Sequence, residues 1–326
     1  EYKEEFMKFK HTINVLIDNF KVTYKLLVYQ LIVLAISIGL GAAIIIPFIN
    51  SLEDVTAYIN LTTAFKDMFA EALDGELGNL ATHFTAIRES FAELLRYLGE
   101  NPDSLVLSSV ALVVLLLVRG FLISLGNYTA GAMINDKMSM QADSHFVMTM
   151  IKNLGKASLY SVIYAPICFV FDVICVGVLY LLFFVALIEI IPLMITLMLF
   201  VVCMVLLIGF RLMLTTDWMP ALICGKKKMG EAMGYAILRE SGKSGSVFSF
   251  YASSAVAILA INVLAAIGSF GAAPIITIPL SYLYLLCYQF VTYCDNNEIK
   301  YFTDKRTIIK PEHEKETSRE QFLRGE

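Results

Sequence analysis

The hydrophobic positions of this chain gather in long unbroken runs separated by polar stretches. Six runs are long enough to cross about 30 Å of hydrocarbon, which a helix spans in about 20 residues. They occupy residues 26–49, 105–128, 159–187, 191–214, 247–268 and 275–293. The third and fourth form one apolar stretch interrupted only around Glu189 to Pro192, too long for one span and suited to a tight hairpin. Lipid offers no hydrogen-bond partner to an open strand edge, so each run is expected to be helical. The pattern predicts an all-α polytopic membrane bundle of six transmembrane helices. The first run is too long for the apolar core of a signal peptide and lacks a small-residue cleavage site, so it reads as a retained span.

Helical periodicity continues outside the spans. Within 50–104, Leu77, Leu80, Phe84, Ile87, Phe91, Leu94 and Leu98 alternate at three- and four-residue spacing. That is an amphipathic helix with a narrow, coiled-coil-like seam. Tyr58, Leu61, Phe65, Met68 and Ala72 repeat the spacing upstream, and Asp74-Gly75 breaks the two helices apart. Either the two seams face each other in a helical hairpin, or one seam, carried by Phe84, Ile87, Phe91, Leu94 and Leu98, meets a partner protein, a second copy or the membrane surface. Asn101-Pro102-Asp103-Ser104 then ends the helix and caps the second span.

The segments 1–25, 129–158 and 215–246 share a weaker pattern. Each holds an amphipathic stretch, then a lysine (Lys21, Lys156, Lys243) eight residues ahead of a tyrosine (Tyr29, Tyr164, Tyr251). A threefold unit of interfacial helix, headgroup-level lysine, interfacial tyrosine and transmembrane hairpin would produce this. A protein that places Lys and Tyr at membrane boundaries would produce it as well.

Composition sharpens the class. Apolar residues make up 58% of the chain, charged residues only 17%, and mean hydropathy is +0.70. Such a chain needs lipid as its solvent. Of the 25 Lys and Arg residues, 21 lie in 1–25, 129–158, 211–243 and the charged tail 294–326. The segment 50–104 carries ten acidic residues against three basic ones. The positive-inside rule places the lysine-rich side, with both ends of the chain, in the cytoplasm, and the acidic hairpin outside. Net charge is −4 with no basic aromatic face, so nucleic acid is not an expected partner.

Candidate chemistry is sparse. Arg119, Asp172 and Glu189 stand at membrane depth, where a charge costs several kcal/mol unless paired or hydrated. They are expected to face the bundle interior, Arg119 and Asp172 as a buried ion pair or as the lining of a polar path, with snorkelling to the interface a further option for Arg119. Lys226, Lys227 and Lys228 can hold anionic lipid headgroups or serve simply as positive-inside charges. The cysteines (Cys168, Cys175, Cys203, Cys224, Cys287, Cys294) fall in spans or on the lysine-rich side, which argues against a disulfide framework. The pairs 168/175 and 287/294 are too widely spaced to share a metal. The histidines (His11, His83, His145, His313) have no second ligand at helical spacing, so neither metal nor cofactor is expected. Gly242-Lys243-Ser244 mimics the end of a phosphate-binding loop, but the required first glycine falls on Ile237 and no strand precedes it. Asn60-Leu61-Thr62 fits a glycosylation acceptor only in a eukaryotic secretory pathway. Pro166, Pro274 and Pro279 are expected to loosen their spans, as in any kinked helix.

Met219-Pro220-Ala221-Leu222, the Lys226–Lys228 cluster, Glu231-Ala232-Met233 and Ser241-Gly242-Lys243 lead into an aromatic-rich span. This last third resembles bacterial multi-pass membrane families, including the membrane domain fused to some glycerophosphodiester phosphodiesterases. The resemblance implies a bacterial inner membrane. It carries no catalytic activity, because the soluble phosphodiesterase domain is absent from these residues. Two functions follow from the sequence: a non-enzymatic scaffold or accessory subunit presenting its outer hairpin, or a transporter or lipid-handling protein with a polar path near Arg119 and Asp172. Membrane lipids are partners in both.

Overall fold

The computed structural model describes residues 2–74, 80–141, 145–187, 193–237, 241–303 and 307–310. An N-terminal helix α1 (Tyr2–Asp18) leads into α2 (Phe20–Asn50). The pair α3 (Thr56–Leu73) and α4 (Leu80–Glu100) precedes α5 (Pro102–Met138), α6 (Phe146–Leu179, extended by a π-helical segment Tyr180–Leu187) and α7 (Leu193–Thr215). Short helices α8 (Trp218–Ile223) and α9 (Met229–Ile237) follow, then α10 (Ser241–Gly268) and α11 (Pro274–Asn296). A two-residue antiparallel ladder pairs β1 (Tyr301–Phe302) with β2 (Ile308–Ile309). Among the described residues six stretches, in α2, α5, α6, α7 with α8, α10 and α11, are long and apolar enough to cross a membrane. The fold is an all-α polytopic bundle, as the hydrophobic pattern predicts. The turn expected at Glu189 to Pro192 lies outside the described residues.

Between the second and third spans the helices run further than the apolar pattern. No breaker follows residue 128, so α5 continues through small residues to Met138, and α6 begins at Phe146. The C-terminus of α5 closes with a Schellman motif: Gln141 N–H donates to the Asp136 carbonyl at 2.8 Å and Met140 N–H to that of Lys137 at 3.0 Å. Met140 takes the left-handed conformation, φ 54°, that glycine would adopt without steric cost.

The chain divides into two compact units. Unit 1 comprises residues 1–33, 120–171 and 203–326; unit 2 comprises 34–119 and 172–202. Unit 1 is built around α11. Leu283, Cys287, Phe290 and Val291 of this helix are fully buried. Half of its most apolar window is buried in protein, against 17% or less in the other five, although its hydropathy is the lowest at 1.5. The two facts have one cause, because a helix surrounded by protein need not be as apolar as one that faces acyl chains. Gln289 and Thr292 are buried there.

Helix α1 packs on α11 through Thr12 and Val15. Its contact is fixed at the far end by a relay. Tyr301 donates to Asp295 Oδ1 at 2.9 Å, so the His11 Nδ1 found 3.0 Å from the same hydroxyl must be the donor to it. Burial, reinforced by Asp295, raises the Tyr301 phenol well above its ordinary pKa. On the other side of α11, Phe250 of α10 stacks on Tyr288 at 3.4 Å, with Tyr251 edge-on at 5.2 Å.

The tyrosines of the threefold pattern all turn into unit 1. Tyr29 donates to the Leu122 carbonyl at 2.7 Å. Tyr164 stacks on Tyr160 at 4.9 Å, and Tyr251 accepts from Thr216 at 2.9 Å. All three rings make these contacts with groups of the protein.

In unit 2, α3 and α4 form the hairpin. Its core is Leu52, Ala57, Leu94 and Leu98, with Phe48, Val55, Tyr58 and Leu61 packed around it. Ile87 is buried too, and His83 Nε2 approaches Glu71 Oε2 at 2.9 Å. The facing side of α3 is displaced from the anticipated one. Ala57 and Ala64 are buried and Phe65 is exposed, because alanines let the two backbones approach where phenylalanine would hold them apart.

Gly131 of α5 has no room for a side chain: a β-carbon there would stand 2.6 Å from Met219 Sδ and 3.0 Å from the Phe290 ring. Gly131→Val is expected to cost about 1–3 kcal/mol by overpacking and to lower the melting temperature in detergent. Gly177, in helical backbone with open space around it, is the control. Gly177→Ala should melt at or slightly above the parent temperature, by up to about 1 kcal/mol.

Candidate functional site: a cationic cavity between helices α5 and α6

In unit 1, α5 and α6 run antiparallel. They meet where a β-carbon on Gly120 would stand 3.3 Å from that of Ala165, and again where the Tyr128 and Tyr160 rings lie 5.6 Å apart. Beyond Tyr128, towards the Schellman end of α5, the space between them is a cavity of about 400 Å³. Tyr128, Ala132, Asn135 and Asp136 line it from α5, and Met148, Thr149, Lys152, Asn153 and Lys156 from α6; Leu222 and Ile223 of α8 complete it. These positions follow helical spacing on both sides, so two continuous stripes face one another. Its size lies within the range of about 300–1,000 Å³ in which proteins hold small ligands.

Depth and chemistry are ordered. On α6, Lys156 lies nearer the Tyr128–Tyr160 contact and Lys152 one turn nearer the start of the helix. Tyr128 supplies the aromatic part of the lining, and its ring is backed by Tyr160, which stacks on Tyr164 and meets Trp218 edge-on at 5.7 Å. The wall is polar. Asn135 Oδ1 accepts from the Cys224 thiol at 3.0 Å, and Asn153 Nδ2 donates to the Thr149 carbonyl at 3.0 Å. Thr149 is 3% exposed, and its hydroxyl, buried at the cavity wall, has no hydrogen-bond partner in the structure. Met148, Lys152 and Lys156 are exposed at the mouth. The arrangement offers two ammonium groups one helical turn apart, amide and hydroxyl donors below them, and apolar surface beside them.

Lys156, the lysine of the second unit in the threefold pattern, lines the cavity, and the other residues singled out from the sequence lie elsewhere. Arg119 and Asp172 both belong to unit 2 and both are exposed. Glu189 lies outside the described residues. Of the lysine cluster, Lys227 is committed to a cation–π contact, its Nζ 3.6 Å from the centre of the Tyr235 ring. Lys228 N–H donates to Glu231 Oε2 at 3.4 Å, half of a capping box that starts α9. Lys226 has φ 50°, and the side chains of Lys226 and Lys228 are exposed. Along the α4 seam Ile87, Leu94 and Leu98 are buried and Phe84 is half-buried, while Phe91 is exposed with its ring 6.3 Å from that of Tyr180.

The cavity residues were missed because each alone looks ordinary. The available signal was the i, i+4 spacing of Lys152 and Lys156 on the same face as Thr149 and Asn153.

A buried hydroxyl without a partner costs about 1–3 kcal/mol. Thr149→Val keeps the shape and removes that cost, so the lipid-free protein in detergent should melt higher than the parent. If the hydroxyl serves a ligand, the same variant should gain less protection from that ligand, as read by the shift in melting temperature on its addition.

Compared with protein-family models, with curated proteins and with the solved structures, the chain matches none.

Proposed function

We propose that this is a non-enzymatic, lipid-handling protein of a bacterial inner membrane, its lysine-rich end cytoplasmic, which receives the head of an anionic amphiphile in the cavity between α5 and α6. The observation that carries this reading is the pairing of Lys152 and Lys156 at the mouth of a cavity with a polar wall and an apolar flank. An ammonium near an anionic leaflet contributes about 1 kcal/mol, and a shaped cavity adds hydrogen bonds that a flat lysine surface lacks. Met148, Leu222 and Ile223 supply surface for the start of an acyl chain.

The test is retention of lipid. Protein extracted from native membranes should carry anionic lipid through purification, measured by mass spectrometry of the intact complex. Lys152→Gln with Lys156→Gln should reduce that occupancy about tenfold or more, given two lost charge-assisted contacts. Unchanged retention in a folded double variant would reject the reading.

A second reading, a scaffold or accessory subunit, is supported by exposed aromatic rings on the hairpin. Phe65 and Phe69 stand one turn apart on α3, 41% and 61% exposed. Leu94 and Leu98 are used inside the hairpin, whereas these two rings, like Phe91 of the seam, are exposed. Phe65→Asp with Phe69→Asp should abolish any crosslinked partner or self-association recovered from native membranes without lowering the melting temperature.

A further inference from the structure

The hairpin of unit 2 has an edge that its own core does not use. Glu71 meets His83 near one end and Ala57 shares a cluster with Leu98 at the other, so α3 and α4 are antiparallel. On α3 the buried Ala64 is followed by the exposed Phe65, and on α4 the buried Leu94 is followed by the exposed Leu95. One residue is a rotation of about 100°, in the same sense on each helix. Equal rotations in the same sense lead to one edge of an antiparallel pair. Phe65 and Phe69 of α3 therefore share that edge with Phe91 and Leu95 of α4, all four exposed. Asp67 of α3 and Glu89, Glu93 and Glu100 of α4 are exposed on the side away from it.

The contacts of α4 set the level of this edge. At the base of the hairpin Phe48, from the end of α2, packs on the cluster of Leu94 and Leu98. Phe91 stands about 10 Å along the helix from Leu98, at 1.5 Å per residue. Its ring still meets a span, lying 6.3 Å from that of Tyr180. A hairpin standing clear of the spans would touch them at its base alone. Tyr180 is followed by apolar residues as far as Leu187, and Leu181 beside it is exposed. A side chain at that level adjoins hydrocarbon rather than the water beyond it. The aromatic edge is thus continuous with the lipid-facing surface of α6. Apolar rings on one side of a helix and carboxylates on the other are the pattern of an interfacial helix, and aromatic residues collect at that depth.

The geometry points to a hairpin that lies in the adjoining leaflet, with Phe65, Phe69, Phe91 and Leu95 among lipid at the boundary of headgroups and acyl chains, and with its acidic side facing water. The partner of this surface is the bilayer. The inference is independent of the cavity between α5 and α6.

The full chain carries one native tryptophan, Trp218, which is buried, so a second can be read by difference from the parent protein. Phe69→Trp and Leu95→Trp report the edge, and Asp67→Trp and Glu93→Trp the opposite side. Each variant is reconstituted in nanodiscs of phosphatidylcholine and phosphatidylglycerol, with and without lipids brominated near the carbonyl end of their chains. Both edge variants should lose emission to the brominated lipid and be quenched severalfold less by aqueous acrylamide than the opposite pair. The opposite pair should be quenched by acrylamide and left unchanged by bromine. Phe69 and Leu95 lie on different helices, so each variant tests the placement even where the other fails to fold. Edge variants as open to acrylamide as the opposite pair would place the edge in water and overturn the inference. Edge variants shielded from acrylamide but insensitive to bromine would mean that a protein covers the rings, which overturns the lipid assignment in favour of a partner or a second copy. Bromine quenching of all four would mean a hairpin immersed on both sides, and overturns its orientation.

Discussion

A helix at membrane depth can be polar only where protein, not lipid, surrounds it, and the whole of unit 1 is arranged around that constraint. Helix α11 carries Gln289, Thr292 and a ladder of tyrosines, and it is the candidate span most enclosed by its neighbours. The residues that enclose it are correspondingly specialised. Gly131 of α5 exists as a gap for Phe290 and Met219. Tyr251 and Phe250 of α10 cover Tyr288 with rings rather than aliphatic chains. The N-terminal helix α1, which by pattern alone belongs at a lipid surface, is held against α11 by the His11–Tyr301–Asp295 relay.

The same constraint concentrates charge. Of the 25 Lys and Arg residues, 21 belong to unit 1. Helices α5 and α6 meet tightly at Gly120 and Ala165 and enclose a cavity further along. The cavity therefore lies among the cationic ends of these helices rather than in the apolar interior. Among its lining atoms Thr149 Oγ1 is buried without a hydrogen-bond partner. A buried hydroxyl in that condition is costly unless something else satisfies it.

Unit 2 illustrates the opposite case. Its hairpin buries Ile87, Leu94 and Leu98 in α4 against alanines and Leu61 in α3, a small apolar core of ordinary kind. The rings that do not fit, Phe65 and Phe69, are left outside. Arg119 and Asp172, the two charges that seemed most informative in a linear reading, are exposed. An apolar run does not say which way a side chain points around its helix.

What the sequence determined by itself was the class of solvent and the number and place of membrane-length helices. Those follow from hydrophobic length alone, a property each segment has independently of every other. The hairpin was also legible, because a seam of three heptads is a local pattern, although the choice of Ala64 over Phe65 in α3 was not. What only the tertiary structure decided was which span became the axis, which tyrosines turned inward, and that Asn135, Asp136, Thr149, Lys152 and Asn153 would line one cavity. These depend on the distance and rotation between helices. Both are set by close approaches such as those at Gly120 and Gly131, where packing acts between residues far apart in the chain and leaves no periodic mark on either segment.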